Sequence, residues 1–189
     1  MDTLTDNSGP KPNIYLIGLS GTGKTRSGRR LAEILEWPFV EMDGVIEDRA
    51  AKSIPRIFVD DGEDFFRDME SQILEEVAKR GGRVVSTGGG VPIRPQNRSV
   101  MEASGLIVRL SASPEVIHQR LVSSATPRGR AVRPLLGDEA PVDKIRSMLN
   151  DREEAYSVAN ITVDTERKSH DQVAETIVQA WNAIGMAES

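Results

Sequence analysis

Residues 18–25 read Gly-Leu-Ser-Gly-Thr-Gly-Lys-Thr, a complete G-x-x-x-x-G-K-[ST] pattern. Composition alone would produce that match about once in a hundred chains of this length, or fewer. The residue types suit the binding of a nucleoside phosphate. Glycines let the backbone curl so that successive N–H groups face phosphate oxygens, and a helix starting at Lys24 aims its positive end the same way. In this reading Ser20, Gly21, Thr22, Gly23, Lys24, Thr25 and Arg26 contact the nucleotide. Lys24 reaches the β- and γ-phosphates, and the Thr25 hydroxyl ligates one Mg²⁺. Lys24 is expected in an exposed loop, outside the core. The plain alternative is a glycine-rich turn without a ligand, and an apolar strand before the pattern with a helix after it argues against that. No G-x-G-x-x-G follows a strand, which removes the dinucleotide reading.

A phosphate loop names no phosphate acceptor. Glu41-Met42-Asp43 closes a second apolar run, Arg67 opens a helix, Gly88-Gly89-Gly90 follows a third run, and Arg152 sits on a late helix. Asp43 is the group nearest in role to a general base, and Glu41, two residues before it, lies close enough in sequence to raise its pKa. Arg67 and Arg152 offer planar, bidentate grips for a carboxylate. The triple glycine gives an unhindered backbone that a small ligand can approach closely. Singly, each residue has a plainer reading: surface ion pairs for the arginines, a helix N-cap for Asp43, a turn for the glycines. His118 and His170 are expected to serve surface or packing roles.

The elements that must position these residues alternate along the chain. Strands are predicted at Ile14–Ile17, Pro38–Met42, Val84–Thr87, Leu106–Leu110 and Ile161–Val163. Helices are predicted from Lys24 to about Glu36, from near Gly44, from about Glu63 to Arg80, and from Ser113-Pro114-Glu115, where a cap, a proline and an acid coincide. An amphipathic closing helix follows the capping box Ser169-x-x-Gln172, with Val173, Ile177, Trp181 and Ile184 recurring at helical spacing, and stops at Gly185. This alternation predicts an α/β fold, a parallel sheet with helices on both faces. In open sheets of that kind ligands bind outside the carboxyl ends of the strands, where Glu41, Asp43 and the triple glycine fall. Residues 1–12 are expected to be a disordered tail and 13–186 a single domain. Ser123–Pro141, rich in Gly, Pro, Ser and Arg, is expected to be a mobile lid.

Composition closes off other classes. The 189 residues include no cysteine, which excludes disulfides, thiolate zinc sites and cysteine nucleophiles. A formal charge of −5 lacks the basic field of nucleic-acid binders, and no apolar run approaches the ~18–20 residues of a membrane span. A cytoplasmic monomer is the expectation.

Taken in order, the segments GLSGTGKT, FVEMDGVIE, FVDDGEDFFRDMES, VVSTGGGV, VRPLL, REEAY and VDTERKS resemble the shikimate kinase family over nearly the whole chain. The resemblance implies a P-loop kinase fold, like that of nucleoside monophosphate kinases, and ATP-dependent phosphorylation of the shikimate 3-hydroxyl. It implies that Asp43, Arg67, Gly88, Gly89, Gly90 and Arg152 hold shikimate, that Arg133 is the lid arginine over the phosphates, and that Arg120 and Arg167 flank adenine. Lys24, Asp43 and Arg133 then carry catalysis, with ATP and shikimate as the partners and Mg²⁺ as cofactor. Two departures stand out. Glu41 replaces the usual first aspartate of an Asp-x-Asp pair, and would contact Mg²⁺ through water, as Mg²⁺ sites commonly allow. The stretch between Arg120 and Arg133 is also longer than in compact family members. The competing readings are another small-molecule kinase, such as one acting on gluconate, and a catalytically silent relative serving as a binding module.

Overall fold

A computed structural model describes residues 12–123 and 141–187. Most of the expected tail and lid, and Arg133 with them, lie outside the described residues. In chain order the elements are β1 (Asn13–Ile17), α1 (Lys24–Leu35), β2 (Phe39–Glu41), α2 (Met42–Ala50), α3 (Ile54–Asp60), α4 (Glu63–Ala78), β3 (Val84–Ser86), a 3₁₀ turn (Val91–Ile93), α5 (Pro95–Ser104), β4 (Gly105–Ser111), α6 (Pro114–Ser123), α7 (Val142–Asp151), α8 (Glu153–Tyr156), β5 (Ile161–Asp164) and α9 (His170–Ala187). The strands form one five-stranded sheet, parallel throughout, in the order β2-β3-β1-β4-β5.

Strand β1 is buried along its length because both faces of the sheet are covered. Ile14 and Leu16 pack with Leu31 and Ala32 of α1 and with Val173 and Ile177 of α9. Tyr15 and Ile17 face the other way, onto Ile73 and Leu74 of α4 and Met101 of α5. From β1 the chain crosses toward β2, and from β3 it crosses in the opposite direction toward β4. Right-handed crossovers therefore send α1 and α5 to opposite faces. That divergence opens a crevice between the carboxyl ends of adjacent strands β1 and β3. The phosphate loop leaves one of these strands and the triple glycine leaves the other.

Some boundaries differ from expectation. Helix α2 begins at Met42, directly after β2, so Asp43 lies in its first turn and not at the strand end. The N-cap is Glu41, and no side-chain capping bond is made there, which removes the reading of Asp43 as a cap. Gly185 does not end α9, which runs on to Ala187. The capping box at its start does form: Gln172 N donates to Ser169 Oγ (3.2 Å) and Ser169 N to Gln172 Oε1 (2.9 Å). Trp181 packs edge-on against Trp37 with ring centres 5.3 Å apart. Among the described residues no helix is long and apolar enough to cross a membrane.

Helix α1 lies close on the sheet because Gly28 faces it. A Cβ there would stand 2.7 Å from Phe39 Cε2 and 2.9 Å from Leu16 Cδ1. In an open helix, Gly→Ala gains about 0.8–1.0 kcal/mol, whereas overpacking a core costs about 1–3 kcal/mol. Gly28→Ala should therefore lower stability, by about 1 kcal/mol, in urea unfolding. A stabilised variant would mean that α1 can lift off the sheet without loss.

Candidate active site

The loop after β1 is shaped by its glycines. Gly18 and Gly23 have φ of 133° and 95°, values that strain a residue with a side chain, and a Cβ at Gly18 would stand 2.4 Å from the Leu110 carbonyl oxygen. Lys24, the first residue of α1, is only 9% exposed. This corrects the expectation of an exposed loop position: Nζ donates to Gly18 O (2.7 Å) and Leu19 O (3.1 Å), so the ammonium itself ties the curl together. Thr22 Oγ1 also donates to Leu19 O (2.8 Å), and Ser20 is half-buried. Arg120 on α6 reaches the loop, but its guanidinium is engaged by Thr165, donating to Oγ1 (2.9 Å) and to the carbonyl (2.6 Å). The Thr165 hydroxyl in turn donates to Thr22 O at 3.1 Å. Arg26 on α1 and Arg167 after β5 are exposed. His170 packs the first turn of α9 onto α1, with Nδ1 3.1 Å from Ser27 Oγ.

The Thr25 hydroxyl donates to Glu41 Oε1 at 2.6 Å, while Arg29 Nη2 lies 3.3 Å from Glu41 Oε2. A hydroxyl beside a carboxylate is a hard-oxygen donor pair. It fits Mg²⁺, which takes few protein ligands and keeps several waters. Among the described residues no group of three or more His, Cys, Asp or Glu could enclose a metal.

Across the crevice, Asp43, Arg67 and Arg152 close in on the triple glycine. A Cβ at Gly88 would stand 2.6 Å from Glu70 Oε1 and 3.0 Å from Asp43 Oδ1; one at Gly90 would overlap Arg67 Nη1 at 2.0 Å. At Gly89 it would stand 3.3 Å from both Arg152 Nη1 and the Gly18 carbonyl oxygen. A side chain at Gly88 or Gly90 would have to displace the charged groups of Glu70, Asp43 or Arg67, so the glycines and the charged cluster are packed as one unit. Gly89 also brings this cluster against the first glycine of the phosphate loop. Arg152, at the junction of α7 and α8, donates from Nη1 to Gly89 O (3.1 Å).

Arg67 is buried and donates from Nη1 to Glu70 Oε2 (2.7 Å) and from Nη2 and Nε to Glu63 Oε1 (2.9 and 3.2 Å). Among the described residues three of the five N–H groups of this guanidinium are thereby engaged, with two more able to meet a ligand carboxylate. Glu70 is the residue the sequence reading missed. Its signal was present: it falls on the apolar stripe of α4 with Phe66, Met69, Ile73, Leu74 and Val77, where a charged residue needs a reason. Glu70 is 1% exposed, and its Oε1 has no hydrogen-bond partner among the described residues. Burial, aided by the charge of Asp43 and opposed by Arg67 and Arg152, pushes its carboxyl up to about 7. Asp43 is open to water at the mouth of the cleft, yet protein walls it closely. That desolvation raises its pKa, against the pull of Lys24 and with the push of Glu41 and Glu47.

A family model described as shikimate kinase matches residues 20–182. The chain is 41% identical to the shikimate kinase of Synechococcus sp. (strain CC9605) over 167 residues, 88% of this chain and 81% of that protein. It is 41% identical to the shikimate kinase of Desulforudis audaxviator (strain MP104C) over 177 residues, 94% and 90% of the two chains. Among solved structures, the shikimate kinase from Acinetobacter baumannii in complex with shikimate superposes with a TM-score of 0.83 at 37% identity, covering 92% of this chain and 94% of that one.

The state of Glu70 has a measurable consequence. Its folded pKa of about 7 lies above the ordinary value of 4.5. The folded state therefore holds a proton that the unfolded chain releases, and stability from this group is full below about 4.5 and lost as pH rises through about 7. A gap of that size corresponds to about 3 kcal/mol at most. Glu70→Gln keeps the shape without the titration. Urea unfolding of both proteins across this range should show the native chain losing stability relative to the variant as pH rises. Parallel curves would mean that Glu70 stays ionised throughout.

Proposed function

The chain belongs to the shikimate kinase family, and from that premise we propose that it transfers the γ-phosphoryl group of ATP to the 3-hydroxyl of shikimate, giving shikimate 3-phosphate and ADP. The observation that carries this reading is the packing of Asp43, Arg67 and Arg152 around three glycines that abut the phosphate loop. An acceptor held there has its hydroxyl beside the γ-phosphate. Phosphoryl transfer asks a protein mainly for such positioning and for charge neutralisation.

On the nucleotide side, the loop from Ser20 to Thr25 takes the phosphates, with Arg26, Arg120 and Arg167 bordering the nucleotide and Arg133 adding positive charge over the phosphates. Lys24 must exchange its loop carbonyls for phosphate oxygens as ATP enters. Thr25, and Glu41 through water, would hold Mg²⁺, which neutralises phosphate charge when bound. On the acceptor side, Arg67 and Arg152 take the shikimate carboxylate, and Gly88–Gly90 form the wall against which its ring lies. Asp43 orients the acceptor hydroxyl. As the new bond from oxygen to γ-phosphorus forms and the bond to the bridging oxygen of ADP breaks, the hydroxyl proton passes to the Asp43 carboxylate. Its raised pKa suits it to receive one.

Assaying ADP release with shikimate and gluconate side by side tests the reading. Turnover is expected with shikimate and none with gluconate; turnover with gluconate alone would overturn the substrate assignment. Asp43→Asn cannot accept the proton, and general-base assistance is typically worth ~10²–10⁴-fold. It should lower kcat at least a hundredfold with Tm nearly unchanged, since Asp43 caps nothing. Arg152→Lys keeps the charge but loses the planar fork, and should raise the shikimate KM about tenfold or more while the ATP KM holds. Equal shifts in both constants would remove Arg152 from the carboxylate site.

A further inference from the structure

We infer that Tyr156 is a positioning residue for the acceptor half of the site: its hydroxyl fixes the Gly89–Gly90 peptide and the seat of Arg152, and thereby sets shikimate affinity without touching shikimate. The inference rests on the shikimate kinase reading of this site. Tyr156 ends α8 and is 1% exposed. Its Oη donates to the carbonyl oxygen of Gly89 at 2.8 Å, the same oxygen that accepts Arg152 Nη1 at 3.1 Å. Two donors converge on one carbonyl, and they come from residues one helical turn apart, joined by the bond from Tyr156 N to Arg152 O (2.9 Å).

The consequence follows from peptide planarity. The bond between Gly89 and Gly90 is trans, as is every other among the described residues, so a carbonyl held by Tyr156 and Arg152 directs the N–H of Gly90 to the opposite side. That N–H makes no hydrogen bond to any described residue. It is therefore a fixed donor on the face of the loop turned away from Tyr156, on a glycine pressed against Arg67. Without the tyrosine hydroxyl, glycines on both sides of the peptide would let it turn freely, and Arg152 would lose the partner that shares its acceptor.

The ring is itself held. Arg109 of β4 lies over it, with Cζ 5.4 Å from the ring centre. Glu153 accepts both arms of that guanidinium, at 2.7 and 2.6 Å. Burial raises the phenol's pKa, so the hydroxyl stays protonated and remains a donor. A phenylalanine at this position would fill the same space and keep the cation over the ring. The hydroxyl is what such packing does not require.

Tyr156→Phe separates the two possibilities. Shikimate KM, and the dissociation constant from calorimetry, should rise about three- to tenfold, the loss of one hydrogen bond to a carbonyl. The ATP KM and kcat at saturating shikimate should change less than twofold. Combined with Arg152→Lys, the second substitution should add little, since both act through one carbonyl. In NMR spectra recorded without substrate, the Gly89 carbonyl and Gly90 amide signals should move while those of Gly18–Thr25 stay. Those signals decide the positioning role even if the native chain phosphorylates no shikimate, an outcome that would sink the functional reading separately. Unchanged glycine signals, or a shikimate KM equal to the native one, would overturn the inference. If Tyr156→Phe does not fold, Arg109→Gln carries the test: it leaves the hydroxyl but removes the cation behind the ring, and should shift shikimate KM in the same direction by a smaller factor. No shift there would also count against the inference.

Discussion

Arg67 and Glu70 form a 2.7 Å ion pair beneath the triple glycine, inside a helix face that is otherwise apolar. Burying a guanidinium costs several kcal/mol, as does burying the carboxylate once Glu70 ionises above about pH 7, and apolar residues of similar size would often be as stable or more so. The pair is therefore poorly explained by stability. It is well explained by the need to keep a guanidinium in place, charged and incompletely satisfied, where an anionic acceptor arrives. The rest of the acceptor site follows from that placement. A side chain at Gly90 would have to push Arg67 aside, and one at Gly88 would have to push Glu70 and Asp43 aside. The glycine wall and the charged cluster are one packing solution seen from two sides.

The sheet order supplies the other half of the geometry. Register pairs Leu16 with Ser86 and Glu41 with Ser86 across three adjacent strands, so the chain leaves β1, β3 and β2 at one level. Glu41, Asp43 and the triple glycine sit within four residues of those exits, and the loop after β1 brings Lys24 and Thr25 back to them. Opposite crossovers leave the space between β1 and β3 clear of helices. Phosphate donor and acceptor are thus brought together by backbone topology, and side chains only refine the approach.

Much of this was legible in the sequence, for identifiable reasons. The apolar runs gave all five strands because a buried parallel sheet writes itself as continuous hydrophobic stretches. The phosphate loop was legible because its glycines and lysine have fixed spacing. What escaped depends on three-dimensional context. Helices α3 and α5 were not anticipated, and the late helix expected at Arg152 is two, α7 and α8, with Arg152 at their junction. Lys24 was expected in the open because lysine usually is, but a curled loop offers it two carbonyls. Glu70 was passed over because one acid among Phe66, Met69, Ile73 and Leu74 reads as noise until Arg67 is seen three residues away. The triple glycine was read for its open backbone alone; that Arg67, Glu70 and Asp43 crowd its Cβ positions appears only in three dimensions.

Glu41 shows how a departure from the family pattern is absorbed. The resemblance puts an aspartate there, one methylene shorter. In this chain the longer side chain reaches Thr25 Oγ1 at 2.6 Å with one oxygen, while the other faces Arg29 at 3.3 Å. The carboxylate is thus held by a hydroxyl on the first turn of α1 and a guanidinium one turn later on the same helix. Both contacts are rooted in a helix that Gly28 allows to press against Phe39 of β2, the strand that ends in Glu41 itself. The negative charge thus stands beside Thr25, where a divalent cation would need it.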